Sequence, residues 1–182
     1  MAYAVSLLFN PEITDAIYAR WMRLADAGIS RSILDLGYPP HLTLAVYDTL
    51  AADVAAVALD RVFNNIDQMA VTLAGFATFG AGRGVCYAAL APSPELVRLH
   101  TAAVDAVGEI CRPHYQPGRW TPHCTLAVGV SDPDVDRAKD LLEKGWRSLT
   151  GRIEQASLVE FAPVIGIKGW RLAPVPHSIR AP

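Results

Sequence analysis

The fold is decided by a stretch that occurs twice, YPPHLTLAV at residues 38–46 and WTPHCTLAV at residues 120–128. The two copies lie 82 residues apart. The same offset continues along the chain, where it pairs two phenylalanines and two leucines: Phe79 with Phe161, and Leu90 with Leu172. Self-similarity at a fixed offset indicates a structural repeat. The sequence therefore predicts two related lobes.

Each copy is preceded by the same local pattern, an apolar run and then a helix start. The run at residues 4–9 leads into Asn-Pro-Glu, and the run at residues 85–91 leads into Ser-Pro-Glu. A small polar residue, a proline and an acid are typical of the first turn of a helix. Apolar residues then recur at helical spacing, at Ile13, Ile17, Trp21 and Leu24 before a stop at Gly28, and at Leu96, Leu99, Ala103, Val107 and Ile110.

The elements after each motif also repeat in order. The patterns predict helices over residues 49–63 and 131–144, and strands over residues 69–79, 152–161 and 164–172. The glycine-rich segment 80–84 is too short for a free linker and is predicted to be a turn between the halves. We expect one bilobal α+β domain over residues 1–182, built from approximate repeats 1–82 and 83–182.

Composition restricts the classes of protein and partner. The chain has 182 residues, 52% of them hydrophobic and 19% charged, which excludes a disordered or fibrous protein. A formal net charge of −2 lacks the basic excess that extended duplex nucleic acid requires. Three cysteines without a C-x-x-C spacing favour reduced thiols and a cytoplasmic location. No signal peptide or membrane span is expected, and a monomer is the expected state.

The period of a β-strand decides which motif side chains cooperate. The prolines at positions 40 and 122 favour an extended start, so each histidine should open a strand. Alternation then puts His41, Thr43 and Ala45 on one face and the apolar Leu42, Leu44 and Val46 on the other. The second motif repeats this with His123, Thr125 and Ala127 opposite Cys124, Leu126 and Val128. One imidazole and one hydroxyl are thus expected about 7 Å apart along each strand.

Two imidazoles that face one cleft suit in-line displacement at phosphorus. One group must take a proton from the attacking oxygen while the other gives one to the leaving oxygen, and histidine performs both tasks near neutral pH. Threonine hydroxyls could donate hydrogen bonds to the phosphate oxygens. This scheme requires no metal or other cofactor. A zinc site is disfavoured because each repeat offers one histidine and no nearby carboxylate.

The paired H-x-T motifs with matching flanks resemble the two-histidine (2H) phosphoesterases, whose hallmark is two H-x-[TS]-x motifs roughly 80 residues apart. This family includes RNA 2′,3′-cyclic phosphodiesterases, 2′-5′ RNA ligases and ADP-ribose cyclic phosphodiesterases. The resemblance implies two antiparallel-sheet lobes, each flanked by two helices, around a central cleft. It further implies His41 as general acid, His123 as general base, and Thr43 and Thr125 as phosphate ligands.

Four residues near the motifs are predicted to contact substrate. Tyr38 and Trp120 occupy matching positions just before each motif, where each could line the cleft or anchor its strand in the core. His114 and Arg119 lie in a loop that mixes arginines with aromatics. That loop is either an ordinary surface loop or a rim that stacks a base and attracts phosphate.

Three other polar residues are expected to lie outside the site. His100 falls on the predicted helix of the second half and is expected at the surface or its boundary. His177 is expected to face solvent in a proline-rich tail, and Arg83 lies in the turn between the lobes.

The sequence thus predicts a metal-independent enzyme that opens 2′,3′-cyclic or similar vicinal cyclic phosphates. Its expected partner is a nucleotide or an RNA terminus that bears such a phosphate. Two alternatives stay open: a non-catalytic protein that binds nucleotides or RNA ends, and a 2′-5′ RNA ligase that uses the same site in reverse.

Overall fold

The computed structural model describes residues 1–80 and 84–175, and its elements follow the order predicted from the sequence. The strands are β1 Ala2–Phe9, β2 His41–Tyr47, β3 Met69–Phe79, β4 Gly84–Leu90, β5 His123–Val130, β6 Leu149–Phe161 and β7 Ile165–Arg171. The helices are α1 Pro11–Asp26, α2 Ala52–Phe63, α3 Pro94–Val107 and α4 Asp132–Glu143, and a short 3-10 helix spans Pro113–Tyr115. The prediction of an α+β fold is confirmed.

The described strands form one antiparallel sheet in the order β2-β1-β6-β3-β4-β5, with β7 paired to β6. Strand β6 is long enough to pair with β3 through residues 149–153 and with β7 through residues 155–160. The sheets expected for the two lobes are therefore continuous. Each half also contributes one strand to the sheet of the other half. Strand β6 of the second half pairs with β1, and strand β3 of the first half pairs with β4.

The two motif strands end up next to each other in space. Strands β2 and β5 lie at opposite ends of the strand order, yet they contact each other. A strongly twisted and curved sheet brings its two edges together in this way. The cleft that carries the motifs is formed where these edges meet.

The helices cover the sheet in two pairs, α1 against α4 and α2 against α3. Helix α1 buries the four apolar residues that its spacing predicted, and Gly28 just after its end adopts a φ of +69°. The prediction for Ile110 was wrong. Helix α3 ends at Val107 because Gly108 adopts a left-handed conformation, and Ile110 beyond it is 87% exposed.

The start of α1 is fastened to the sheet by Asn10. This residue occupies the predicted N-cap position, but its side chain makes no capping bond. Its Oδ1 instead accepts a hydrogen bond of 3.0 Å from the backbone N–H of Arg152 in β6.

Strand β6 begins at Leu149, three residues earlier than predicted, because residues 149–153 pair with β3.

Within residues 1–80 and 84–175, no helix combines the length and the apolar character needed to cross a membrane.

Candidate active site

The two motif histidines are anchored in the same way. Nδ1 of His41 lies 2.8 Å from the carbonyl oxygen of Pro39, and Nδ1 of His123 lies 2.7 Å from the carbonyl oxygen of Thr121. A carbonyl oxygen can only accept a hydrogen bond, so each Nδ1 carries the proton of the neutral ring. Each ring is thereby held in one orientation, and its Nε2 is the nitrogen left for a bound molecule.

The histidines line two adjoining cavities of one cleft. His123 lines a cavity of about 480 Å³, and His41 lines a smaller one of about 210 Å³. Among the residues that the structure describes, both cavities are lined by Tyr115, Thr125 and Val128. The two imidazoles therefore border adjoining parts of one cleft.

Burial sets the protonation state of both rings. Burial is the main cause that lowers the pKa of His41. The hydrogen bond to the Pro39 carbonyl raises this pKa, and the neighbouring charge of His123 lowers it. Burial also lowers the pKa of His123, with a raising contribution from the Thr121 carbonyl and a lowering one from His114. Both pKa values lie below that of a free histidine, so the unliganded rings are mainly neutral at pH 7.

The motif threonines are half-buried beside the histidines, and an indole holds the backbone at each of them. The Trp120 Nε1–H donates to the Thr43 carbonyl oxygen over 3.0 Å. The Trp21 Nε1–H donates to the Thr125 carbonyl oxygen over 3.1 Å. Each hydroxyl therefore projects from a backbone position that is fixed by the core.

Strict alternation along the motif strands breaks just after each threonine. The pairing between strands skips Leu44 in β2 and Leu126 in β5, which marks an irregularity of the β-bulge type at matching positions. An extra residue reverses the faces of the residues that follow it. The prediction for the alanines was therefore wrong. Ala45 and Ala127 lie in the core, whereas Val46 and Val128 line the cleft.

Aromatic rings surround both histidines. The Tyr38 ring lies 4.8 Å from that of His41, and its hydroxyl is hydrogen-bonded to the buried Ser157. On the other side, the rings of Phe79 and Tyr87 lie 5.1 Å and 5.3 Å from His123. These contacts limit the motion of the imidazoles and exclude water from their flanks.

The four predicted substrate contacts are distributed unequally. Tyr38 lines the smaller cavity, and the exposed His114 and Arg119 line the larger one. Trp120 lines neither cavity, because its ring packs on the core and its N–H is used by the backbone of β2. Of the two roles that the sequence allowed for Trp120, the structure shows the anchoring one.

His100 is not a surface residue, which corrects the sequence-based expectation. It is 1% exposed, its ring stacks on that of Trp120, and its Nε2 lies 2.8 Å from the carbonyl oxygen of Tyr115. It occupies a buried position of α3 one turn after Leu96, and helical spacing could have revealed this.

Several cleft residues were not identified as site residues from the sequence. Phe79 and Phe161 line the larger and the smaller cavity respectively, and the offset of 82 already paired them. Tyr115 had no such signal, because its counterpart at that offset is Ile33. Arg83 and His177 lie outside the described residues.

The described part of the chain contains no group of three or more His, Cys, Asp or Glu residues placed to hold a metal ion. The imidazoles, hydroxyls, aromatic rings and arginines that line the cleft are groups that can contact a ligand. Two fixed nitrogen atoms and two alcohols around one space are suited to proton transfer and to binding an anion.

A family model of the 2′-5′ RNA ligase superfamily matches residues 14–163, and the chain belongs to that superfamily. The resemblance to the 2H phosphoesterases is confirmed.

Solved structures with a similar fold are found at low sequence identity. TT0787 of Thermus thermophilus is 17% identical with a TM-score of 0.64, over 96% of this chain and 99% of that one. LigT of E. coli, solved in complex with 3′-AMP, is 16% identical with a TM-score of 0.64, over 93% of this chain and 97% of that one. At this identity the likeness shows the fold. No curated protein matches the chain significantly.

Proposed function

We propose that this protein is a metal-independent phosphoesterase that opens 2′,3′-cyclic or similar vicinal cyclic phosphates on nucleotides or RNA ends. The observation that carries the proposal is the matched anchoring of His41 and His123. In both rings a backbone carbonyl fixes Nδ1 and leaves Nε2 for the cleft that the two residues share. Proton transfer at a phosphate needs two such nitrogens, one as base and one as acid.

The reaction balances with water as the attacking group. One neutral imidazole takes a proton from water as the water oxygen forms a bond to phosphorus. The bond from phosphorus to one ribose oxygen breaks, and the other ring, as imidazolium, gives that oxygen a proton. The product is a phosphate monoester beside a free hydroxyl. Each histidine ends in the protonation state with which the other began, so exchange with solvent restores the enzyme.

We assign His41 as the acid and His123 as the base, following the 2H resemblance. A substrate whose leaving group needs no proton distinguishes the two roles. With a 4-nitrophenyl phosphodiester, His41→Ala should lose far less activity than His123→Ala. The reverse order would exchange the two roles and leave the reaction type unchanged.

Thr43 and Thr125 are assigned to the non-bridging phosphate oxygens. Their hydroxyls lie beside the imidazoles and project from backbone that Trp120 and Trp21 hold in place. Charge accumulates on these oxygens in the transition state, so fixed donors stabilise it more than they stabilise the substrate. Arg119, His114 and Tyr38 are assigned to parts of the substrate beyond the reacting phosphate.

A nucleotide is the proposed partner, and the complex of E. coli LigT with 3′-AMP supports this choice. The three cysteines are buried and unpaired, which supports the proposed cytoplasmic location. We further propose that the protein acts as a monomer, because each monomer carries both motifs in one cleft.

The test is turnover of the four nucleoside 2′,3′-cyclic phosphates, followed by separation of the 2′- and 3′-monophosphates. Replacing His41 or His123 by alanine should each lower the rate about 10²- to 10⁴-fold. EDTA should leave the rate unchanged. Retained turnover in the double alanine variant would refute the proposal, and loss of activity with EDTA would refute its metal-free part.

The same assays separate the two alternatives. Binding of the cyclic nucleotides without product would favour a binding protein. Joining of an RNA 2′,3′-cyclic phosphate end to a 5′-hydroxyl end, without hydrolysis, would favour a ligase.

A further inference from the structure

Tyr115 is in the middle of the cleft, although neither motif contains it. It lines both cavities, and so lies where a phosphate between the two imidazoles would be bound. A side-chain hydrogen bond with Thr43 is among the causes that act on its pKa, so its hydroxyl lies near that of Thr43. Burial raises the pKa of Tyr115, so the phenol stays protonated and able to donate a hydrogen bond at neutral pH.

The backbone of Tyr115 is held from several sides. Its carbonyl oxygen lies 2.8 Å from Nε2 of the buried His100, and its N–H donates to the Arg112 carbonyl oxygen over 2.9 Å. The Arg112 N–H in turn donates to the Val46 carbonyl oxygen in β2 over 2.8 Å. The ring packs against both apolar clusters of the fold. A donor held this firmly stabilises a transition state without the cost of reorganising it.

The pseudo-twofold repeat does not supply a second such donor. The residue that corresponds to Tyr115 at the 82-residue offset is Ile33, which lines the smaller cavity with an apolar side chain. The repeat therefore places no hydroxyl at the position that matches Tyr115. The two motifs supply the same side chains to both halves of the cleft, whereas the Tyr115 hydroxyl makes the halves chemically different.

We propose that Tyr115 is a further catalytic residue, whose hydroxyl donates a hydrogen bond to the reacting phosphate together with that of Thr43. This proposal rests on the function proposed above, and it adds a third hydroxyl to the two that the motifs supply. Tyr115 and Thr43 then act on neighbouring oxygens of one phosphate. Their contributions are coupled, because each hydroxyl positions the anion for the other.

The direct test removes one oxygen atom. Tyr115→Phe should lower kcat/KM for nucleoside 2′,3′-cyclic phosphates about 10- to 100-fold, as expected for the loss of one donor to a phosphate. It should also weaken binding of adenosine 3′-monophosphate about fivefold to tenfold by calorimetry. The control is Tyr3→Phe, which removes a hydroxyl from a half-buried tyrosine in β1 that lines neither cavity. This control should match the wild type in both assays.

Affinity for adenosine 3′-monophosphate distinguishes a phosphate contact from a merely structural role, and coupling to Thr43 tests where that contact lies. In a Thr43→Val background, Tyr115→Phe should cost less than about threefold, whereas in a Thr125→Val background it should still cost about tenfold. Equal costs in the two backgrounds, or unchanged affinity for adenosine 3′-monophosphate, would overturn the role of Tyr115. The binding assay needs no turnover, so this result is separate from a failure of the proposed reaction, which would appear as loss of the His41 and His123 effects.

Discussion

The imidazole of His100 lies flat against the indole of Trp120, with ring centroids 4.1 Å apart and planes 3° apart. The same indole donates its N–H to the carbonyl oxygen of Thr43. A buried histidine on α3 thus supports the residue that holds the first motif strand. Rigid support of this kind keeps catalytic groups within the narrow range of positions that catalysis needs.

Replacing Trp120 by phenylalanine should destabilise the protein and raise KM no more than the matching change at Trp21 does. The change removes the donor to the Thr43 carbonyl and part of the stacked ring, which should lower the free energy of unfolding by about 1–3 kcal/mol. Urea titration measures this loss. The matched variant is Trp21→Phe, which removes the corresponding donor to Thr125. An increase in KM in folded Trp120→Phe that clearly exceeds the increase in Trp21→Phe would instead indicate a substrate contact.

The activity should peak on the acid side of pH 6.5, the ordinary histidine value. Catalysis needs one imidazole charged and one neutral, and that form is most populated between the two pKa values of the pair. Burial lowers the pKa of both His41 and His123, so the maximum of kcat/KM moves to lower pH. A bell-shaped profile measured with a cyclic nucleotide tests this. A maximum above pH 7.5 would contradict the observed environment of the rings.

Stability should also fall in acid, partly because of His100. Burial is the main cause that lowers its pKa, so the unfolded chain takes up a proton near pH 6.5 more readily than the folded chain. This difference in proton uptake lowers the free energy of unfolding as the pH falls below the pKa of the histidine in the unfolded chain. In His100→Gln the slope of unfolding free energy against pH, between pH 6.5 and 5, should be shallower by up to about 1.4 kcal/mol per pH unit. Identical slopes in urea titrations of the two proteins would argue against it.

Gly151 lies so close to the start of α1 that a larger residue at this position should disturb the packing there. A Cβ at this position would lie 2.5 Å from Asn10 Oδ1 and 2.7 Å from Ile13 Cδ1. Gly151→Ala should therefore lower the free energy of unfolding by about 1–3 kcal/mol. Gly166→Ala in β7 is the control, because a Cβ there meets no atom within 4 Å. Equal effects of the two changes on thermal unfolding would show that the contact is unimportant.

The repeat made most of the fold predictable, since one offset fixed the order of strands and helices in both halves. The sequence did not reveal that β3 and β6 each cross to the other lobe, because strand partners depend on contacts distant along the chain. The bulges after Thr43 and Thr125 were hidden for a related reason: strict alternation assumes an uninterrupted ladder. Tyr115 lies in the loop that was considered a possible rim, but it was not singled out there, because its counterpart in the repeat is the apolar Ile33 and it reaches the cleft through tertiary packing.

The central claim is that His41 and His123 act on one phosphate, and a crystal structure of the protein with adenosine 3′-monophosphate tests it most directly. We expect Nε2 of His41 and Nε2 of His123 both to lie within about 2.6–3.2 Å of oxygens of the same phosphate. The hydroxyls of Thr43 and Thr125 should contact the remaining oxygens. A phosphate that is bound by only one imidazole, or that lies outside the cleft, would contradict the proposed chemistry.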